Sequence, residues 1–375
     1  MKRWPTKPLG DLLKVQNGFA FDSERFNDAK HGLPIIRIRD LARGYSETSY
    51  DGEHNAAYEV NDGDFLIGMD GEFKCYRWHG GKALLNQRVC RLQGFDAGLN
   101  SSYVFYGINQ HLSEIEANTS FVTVKHLSSK QIAQIKMPVP PLAEQERIVK
   151  LLDEADELRK LRAQATSRTA ALLPASFNEM FGDPATNPHK WRKTTLGELC
   201  ELVNGAPFKP SDWDGSGFPI IRIQNLNDAT KPFNYTSKRL PEKFRVRPGD
   251  VLLSWSGTPG TSFGCFRWSG SEGWLNQHIF NVKLQPGLDG EFFIESVNVR
   301  LSEIIGKAHG GVGLQHITKG TLNEVEMLVP PLPLQKAFAQ RVTEIRELET
   351  CQATSRTRLD ALFQSMLHRA FNGEL

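Results

Sequence analysis

The chain has 375 residues, a length that suggests two domains of ordinary size. Hydrophobic residues make up 39% and charged residues 23%, as in an ordinary soluble protein, and no run of about 18 apolar residues offers a bilayer-spanning helix. The net charge of +2 neither demands nor excludes a nucleic-acid partner, because a basic patch can hide inside a balanced total.

In chain order, the first half opens with Trp4, Leu9 and Gly10, then Asn17-Gly18, a turn signal. PIIRIRDL at 34–41 predicts a strand over 34–39. Gly63-Asp64 then turns into an apolar strand ending at Ile67, and further strands are predicted over 75–78 and 88–92, the last just after LLNQ at 84–87. A short helix is predicted near 103–109. PVPPLAEQ at 138–145 opens a long amphipathic helix, with apolar residues Ile148, Leu151, Ala155, Leu158, Ala165 and Leu172 near the 3–4 spacing of a heptad seam. Its prolines and Glu144 and Glu146 suit the first turn. Pro174 should kink or restart the helix, and Gly182-Asp183-Pro184 should end it.

The second half then says nearly the same thing again. Trp191, Leu196, Gly197 and Asn204-Gly205 are followed by PIIRIQNL at 219–226, Gly249-Asp250, WLNQ at 274–277 and LVPPLPLQ at 328–335. Strands are predicted over 219–223, 249–253, 265–268 and 279–284, with a short helix over 291–299. The closing helix carries Phe338, Val342, Ile345, Leu348, Leu359, Leu362 and Met366, and QATSRT at 164–169 recurs unchanged at 352–357. The period is half the chain, too long for a solenoid unit of about 20–50 residues. The expected fold is therefore α+β: two similar mixed α/β domains, 1–141 and 183–330, separated by long helices, 142–182 and 331–375. The first helix leads from domain one to domain two and the second starts at domain two, so a packed pair must run antiparallel. The expected whole is a pseudo-two-fold internal repeat around a two-helix coiled coil.

The ordered set Leu-Gly, Asn-Gly, PIIRI, Gly-Asp-x-Leu, Leu-Asn-Gln, Pro-Pro-Leu-x-x-Gln and a terminal LFQSMLHRAFNGEL resembles the specificity subunit of type I restriction–modification enzymes, over nearly the whole chain and in both halves. That resemblance implies two target-recognition domains, each reading one half of a split site in double-stranded DNA. It implies helices that set the spacing and dock two modification subunits, and no catalytic activity in this chain. S-adenosylmethionine for adenine methylation, and ATP with magnesium for restriction, would then sit on modification and restriction subunits, with no cofactor here. A helix of about 35 residues spans about 50 Å, roughly one and a half turns of B-DNA, a suitable ruler.

The halves differ where such readers should differ. Arg39-Asp40 becomes Gln224-Asn225; Asp70 with Lys74 gives way to a longer loop containing Ser256 and Thr258; Lys125-His126 becomes Gln315-His316. Arg and Lys suit guanine, Asn and Gln adenine, and carboxylates cytosine. These residues, with Lys319 and the shared Arg37 and Arg222, are the candidate DNA contacts; the last two lie inside the common motif and suit phosphate or scaffold roles. Asn86-Gln87 and Asn276-Gln277 read first as turns that bond their own backbone, and Trp78, Trp268, Tyr76 and Phe266 first as core. The segment 309–313 is glycine-rich but lacks the Lys-Ser or Lys-Thr of a phosphate loop; its backbone suits DNA phosphates instead.

Two rivals are weaker. Asp64, Glu72 and Lys74 have the acid-x-lysine form of some magnesium nucleases, but the second half has Ser262-Phe263-Gly264 there. A methyltransferase would need an Asn-Pro-Pro-aromatic motif and a glycine-rich cofactor loop, and neither is found. A coiled-coil protein scaffold without DNA specificity remains the alternative class. The five cysteines (Cys75, Cys90, Cys200, Cys265, Cys351) include no CxxC pair, which argues against a disulfide framework or zinc cluster. The N-terminus lacks the apolar stretch of a signal peptide, so the cytoplasm is the expected location and no membrane partner is expected.

Overall fold

The computed structural model describes residues 4–118, 126–258, 260–306, 309–311 and 314–375. The chain divides into two compact units, Met1–Ala163 with Thr354–Leu375, and Gln164–Ala353. The first is built on a four-stranded antiparallel sheet in the order Lys14–Asn17, Val89–Gln93, Phe65–Gly68, Cys75–Arg77. A second, five-stranded sheet holds Leu33–Ile36 beside Ala83–Leu85 as a parallel pair. The helix Ser101–Asn118 is longer than its sequence signal, and its Asn109 closes the edge of the first sheet. Asn109 Oδ1 accepts from the Cys75 N–H at 2.7 Å.

The second unit repeats this plan. Cys200–Asn204, Ile279–Leu284, Val251–Ser254 and Gly264–Arg267 form its four-stranded sheet, and Phe218–Ile221 pairs in parallel with Gly273–Leu275. Asn298, on the helix Gly290–Val299, accepts from the Cys265 N–H at 2.9 Å. In each head a short antiparallel pair ties entry to exit: Thr6–Pro8 with Lys136–Pro138, and Arg192–Thr195 with Glu326–Val329.

Two local expectations are corrected. The strand over 34–39 stops at Ile36, and Ile38–Leu41 is a short helix; likewise Phe218–Ile221 is followed by the helix Ile223–Asn227. The cause is a side-chain cap: Asp40 accepts from the Arg37 N–H at 2.9 Å and Asn225 from the Arg222 N–H at 3.1 Å, which turns the chain out of the sheet. The Asn-Gly pairs, in turn, are close backbone crossings rather than free turns. A Cβ on Gly18 would lie 2.0 Å from the Asn86 carbonyl oxygen, and one on Gly205 2.2 Å from that of Asn276.

The long helices are part of the heads. Leu142–Ala170 breaks at Ala171 and restarts as Leu172–Phe181, so Pro174 falls in a first turn, where its missing N–H costs nothing. Leu332–Phe371 is unbroken. In the first unit Ile148, Leu152, Ala155, Phe363 and Ala370 join the core of the four-stranded sheet. There the two helices run antiparallel, with Arg159 2.7 Å from Asp360 and Arg147 donating to the Leu375 oxygen at 2.8 Å. In the second unit Phe177, Phe181, Phe338 and Val342 pack on Phe292, and the buried Gln352 donates to Thr169 at 2.8 Å. The heptad seam is thus shorter than its sequence pattern: Leu158, Leu172, Leu348 and Leu362 are exposed. The buried stripe serves the sheet above it, not only the neighbouring helix.

The repeated Pro-Pro-Leu-x-x-Gln has a direct explanation. Gln145 and Gln335 are fully buried. Gln145 donates to the Pro140 and Gly98 carbonyls (2.8 and 3.0 Å) and accepts from the Asn100 N–H at 2.8 Å. Gln335 donates to the Pro330 carbonyl at 2.8 Å and accepts from the Asp289 N–H at 2.9 Å. Each therefore staples the start of a long helix to the loop that opens a head helix. No described helix is long and apolar enough to cross a membrane.

Candidate nucleic-acid interface

The divergent residues converge where the central strands end. In the first head, Phe65–Gly68 runs out into Met69 and Asp70. The Met69 N–H donates to the Arg88 carbonyl at 3.0 Å, and the Leu127 N–H to the Met69 carbonyl at 2.7 Å. Three segments are thereby locked together, and Asp70 faces His126 across a β-bridge. The Asp70 carboxylate takes Arg88 Nη1 at 3.2 Å on one oxygen and His126 Nδ1 at 2.7 Å on the other. The short helix Ile38–Leu41, which carries Arg39, lies on the same end: a Cβ at Gly68 would sit 3.3 Å from Ile38 Cγ2.

The second head builds the same backbone with other side chains. The Trp255 N–H donates to the His278 carbonyl at 3.4 Å and the Ile317 N–H to the Trp255 carbonyl at 3.0 Å. Ser256 pairs with His316 and Gly257 with Gln315, and His309–Gly311 adds a third strand. Of the segment expected to face phosphates, His309–Gly311 is an edge strand paired with Leu314–His316, and 312 and 313 lie outside the described residues. Where the first head has carboxylate, guanidinium and imidazole, the second has the hydroxyl of Ser256 and the imidazoles of His278 and His316, with the Trp255 indole 5.7 Å from the His278 ring. Burial, aided by the charge of Arg222, lowers the His278 pKa and so favours its neutral form.

The sequence candidates therefore sort by position. Asp70 and His126 come together, as do Ser256, Gln315 and His316, with Ser256 itself buried beneath that surface. Arg39 and Lys74 are exposed cations, Lys74 lying 5.4 Å over the Tyr76 ring, and Thr258 is exposed on the long loop. Gln224 is half-buried and donates to the Pro232 carbonyl at 3.2 Å. Asp40 and Asn225 are buried helix caps, only 2% and 4% exposed, so neither presents its side chain at the surface as a base reader must. Arg37 bonds the Thr48 hydroxyl, Arg222 lies 5.5 Å over the Trp213 ring, and Lys319 donates to the Leu202 carbonyl at 2.6 Å, all contacts within their own heads. Lys125 lies outside the described residues.

Arg88 and His278 were missed. Their signal was available: each directly follows the shared Asn-Gln, and the halves differ there. The Asn-Gln pairs do bond their own backbone, Asn86 Oδ1 accepting from the Gln87 N–H at 2.9 Å. Trp78 and Trp268 are core, each indole N–H donating to a nearby carbonyl (2.7 and 2.8 Å). Asp64 pairs with Arg91 (3.2 Å) and accepts from the Asn61 N–H (3.0 Å). Among the described residues no His, Cys, Asp and Glu side chains gather as a metal site. Burial pushes the Cys90 and Cys200 thiols up to about 12, which keeps them protonated and poor nucleophiles.

Residues 1–167 and 188–356 match the family described as the type I restriction modification DNA specificity domain. The chain is similar to the EcoBI type I restriction enzyme specificity subunit of Escherichia coli, 28% identical and covering 99% of this chain and 86% of that one. It is also similar to the MjaVIII specificity subunit of Methanocaldococcus jannaschii, 22% identical over 99% and 93% of the two chains. Its fold matches the crystal structure of a type I restriction-modification system S subunit from M. genitalium, with a TM-score of 0.58, 14% identity and coverage of 98% and 96%. A chain from a study of assembly and conformational transition in the type I R-M system matches with a TM-score of 0.60, 18% identity and coverage of 100% and 99%.

Proposed function

Because the chain belongs to the family of type I restriction modification DNA specificity domains, we propose that it is the DNA-reading subunit of a type I restriction–modification complex. Each head reads one half of a split site in the major groove, and the long helices set the spacing and dock two modification subunits. The observation that carries this reading is the pair of strand-end clusters: the same backbone hydrogen bonds hold Asp70, Arg88 and His126 in one head and Ser256, His278 and His316 in the other. A scaffold that keeps its backbone while exchanging its polar side chains suits two readers of different base sequences. Exposed cations such as Arg39 and Lys74 serve the phosphates, so binding weakens as salt rises.

In this reading the subunit is not itself an enzyme and holds no cofactor. Adenine methylation with S-adenosylmethionine belongs to the modification subunits, and ATP- and magnesium-dependent cleavage to restriction subunits that join them, all in the cytoplasm. The test is a methylation map of host DNA with the gene present and deleted. A split motif whose adenine methylation disappears on deletion supports the reading. An unchanged map, in a host that expresses the modification subunit, would favour a protein scaffold instead.

A further inference from the structure

We infer that Arg88 is the guanine reader of the first head, held in its reading pose by Asp70. This rests on the DNA-reading function proposed above and adds a residue and a base to it.

Arg88 stands on a fixed piece of backbone. It lies between the Asn86-Gln87 turn and the strand Val89–Gln93, and its carbonyl accepts from the Met69 N–H at 3.0 Å. Its side chain is 59% exposed, yet one guanidinium nitrogen is 3.2 Å from Asp70. An ion pair this exposed contributes little to folding. What it does is restrict a long, flexible side chain. Asp70 is itself held from the far side by His126 Nδ1 at 2.7 Å, so the carboxylate is a fixed post. The guanidinium meets that post through Nη1, and among the described residues its other nitrogens have no partner. Two parallel N–H donors in a planar fork match the O6 and N7 acceptors of guanine in the major groove. A lysine could not reproduce that fork.

The internal repeat supplies a control within the same chain. At the equivalent places the second head keeps the backbone hydrogen bonds and the histidine (His316), but Arg88 is replaced by His278 and Asp70 by Ser256. The guanidinium and its carboxylate are absent together. A carboxylate needed for the scaffold would have stayed, whereas one needed to aim an arginine goes when the arginine goes. Near DNA a carboxylate also repels phosphates, and the charge of Arg88 offsets that repulsion at Asp70.

The test uses the complex with its modification subunits and duplexes carrying the mapped motif. One guanine of one half-site should be sensitive to 7-deazaguanine, which lacks the N7 acceptor. Arg88→Ala should weaken binding about 10- to 100-fold, lose discrimination at that base pair alone, and abolish the 7-deazaguanine effect. Asp70→Asn should erode discrimination at the same base pair, and Arg88→Lys should not restore it. The other half-site should be read unchanged. The inference is overturned if Arg88→Ala weakens every duplex equally, as a phosphate contact would, or if the 7-deazaguanine penalty persists in that variant. A wild-type complex with no split motif sinks the functional reading, and this inference with it. A clear motif that Arg88→Ala reads as well as wild type sinks the inference alone.

Discussion

Gln335 offers a direct test of how the long helix is joined to the second head. Gln335→Leu keeps the side-chain volume but removes both polar atoms from a site only 1% exposed. The Pro330 carbonyl, 2.8 Å from Nε2, and the Asp289 N–H, 2.9 Å from Oε1, both lose their partner in the interior. At about 1–3 kcal/mol each, the two orphaned groups cost about 4 kcal/mol at the midpoint, and the leucine returns roughly 1–2 kcal/mol through apolar burial, for a central net loss of about 2–3 kcal/mol. Gln145→Leu likewise removes the partner of the Pro140 carbonyl and the Asn100 N–H, besides that of the exposed Gly98 carbonyl, so its cost should be at least that of Gln335→Leu. Urea unfolding of the full chain measures both. The two substitutions lie in different compact units, so each should destabilise its own unit first, as hydrogen exchange would resolve. If Gln335→Leu stays within about 0.5 kcal/mol of the parent, the range of ordinary surface changes, the staple is refuted.

Gly205→Ala should be poorly tolerated, because its Cβ would lie 2.2 Å from the Asn276 carbonyl oxygen; a loss of about 2–3 kcal/mol is expected. Gly215→Ala, with nothing near its Cβ, is the control, and equal thermal shifts for the two would contradict the crossing geometry. Glu295 gives a pH test: burial pushes its carboxyl up, opposed by Arg346 at 3.3 Å. A raised acid binds its proton more tightly in the folded chain. Its contribution is therefore most favourable below the unfolded pKa and declines as pH rises through the folded one. Arg346→Met raises the folded value further, so the variant should lose more stability at pH 8 than at pH 5, and an equal loss at both would contradict the assignment.

Much of the frame is legible in the sequence itself. The repeat carried the two heads, and Pro-Pro-Leu-x-x-Gln marked the start of each long helix because a buried glutamine with specific partners cannot be replaced freely. The errors have physical causes too. Asp40 and Asn225 looked like readers because they differ between halves and are polar. Yet aspartate and asparagine can each accept one backbone hydrogen bond, so the difference is neutral to the cap they form. The leucines at 158, 172, 348 and 362 fit a helical period, but period alone does not say which face meets a neighbour. Asn-Gly announced a turn, since the sequence cannot show that another strand's carbonyl passes beside it.

Arg88 shows why the readers are harder to read than the frame. The frame is repeated, so every constraint on it appears twice and stands out. A reader is constrained only by its DNA half-site and by the side chain that aims it, and each of those occurs once. In this chain the aiming partner, Asp70, is 18 positions away in sequence but 3.2 Å away in space. Only the meeting of the strand end with the Asn-Gln turn makes them a pair. Because backbone hydrogen bonds hold that meeting in both heads, the polar side chains of positions 70 and 88, and of 256 and 278, can differ without disturbing it. A new half-site specificity then calls for changing the aimed pair together, because changing Arg88 alone leaves Asp70 on His126 with no guanidinium to aim.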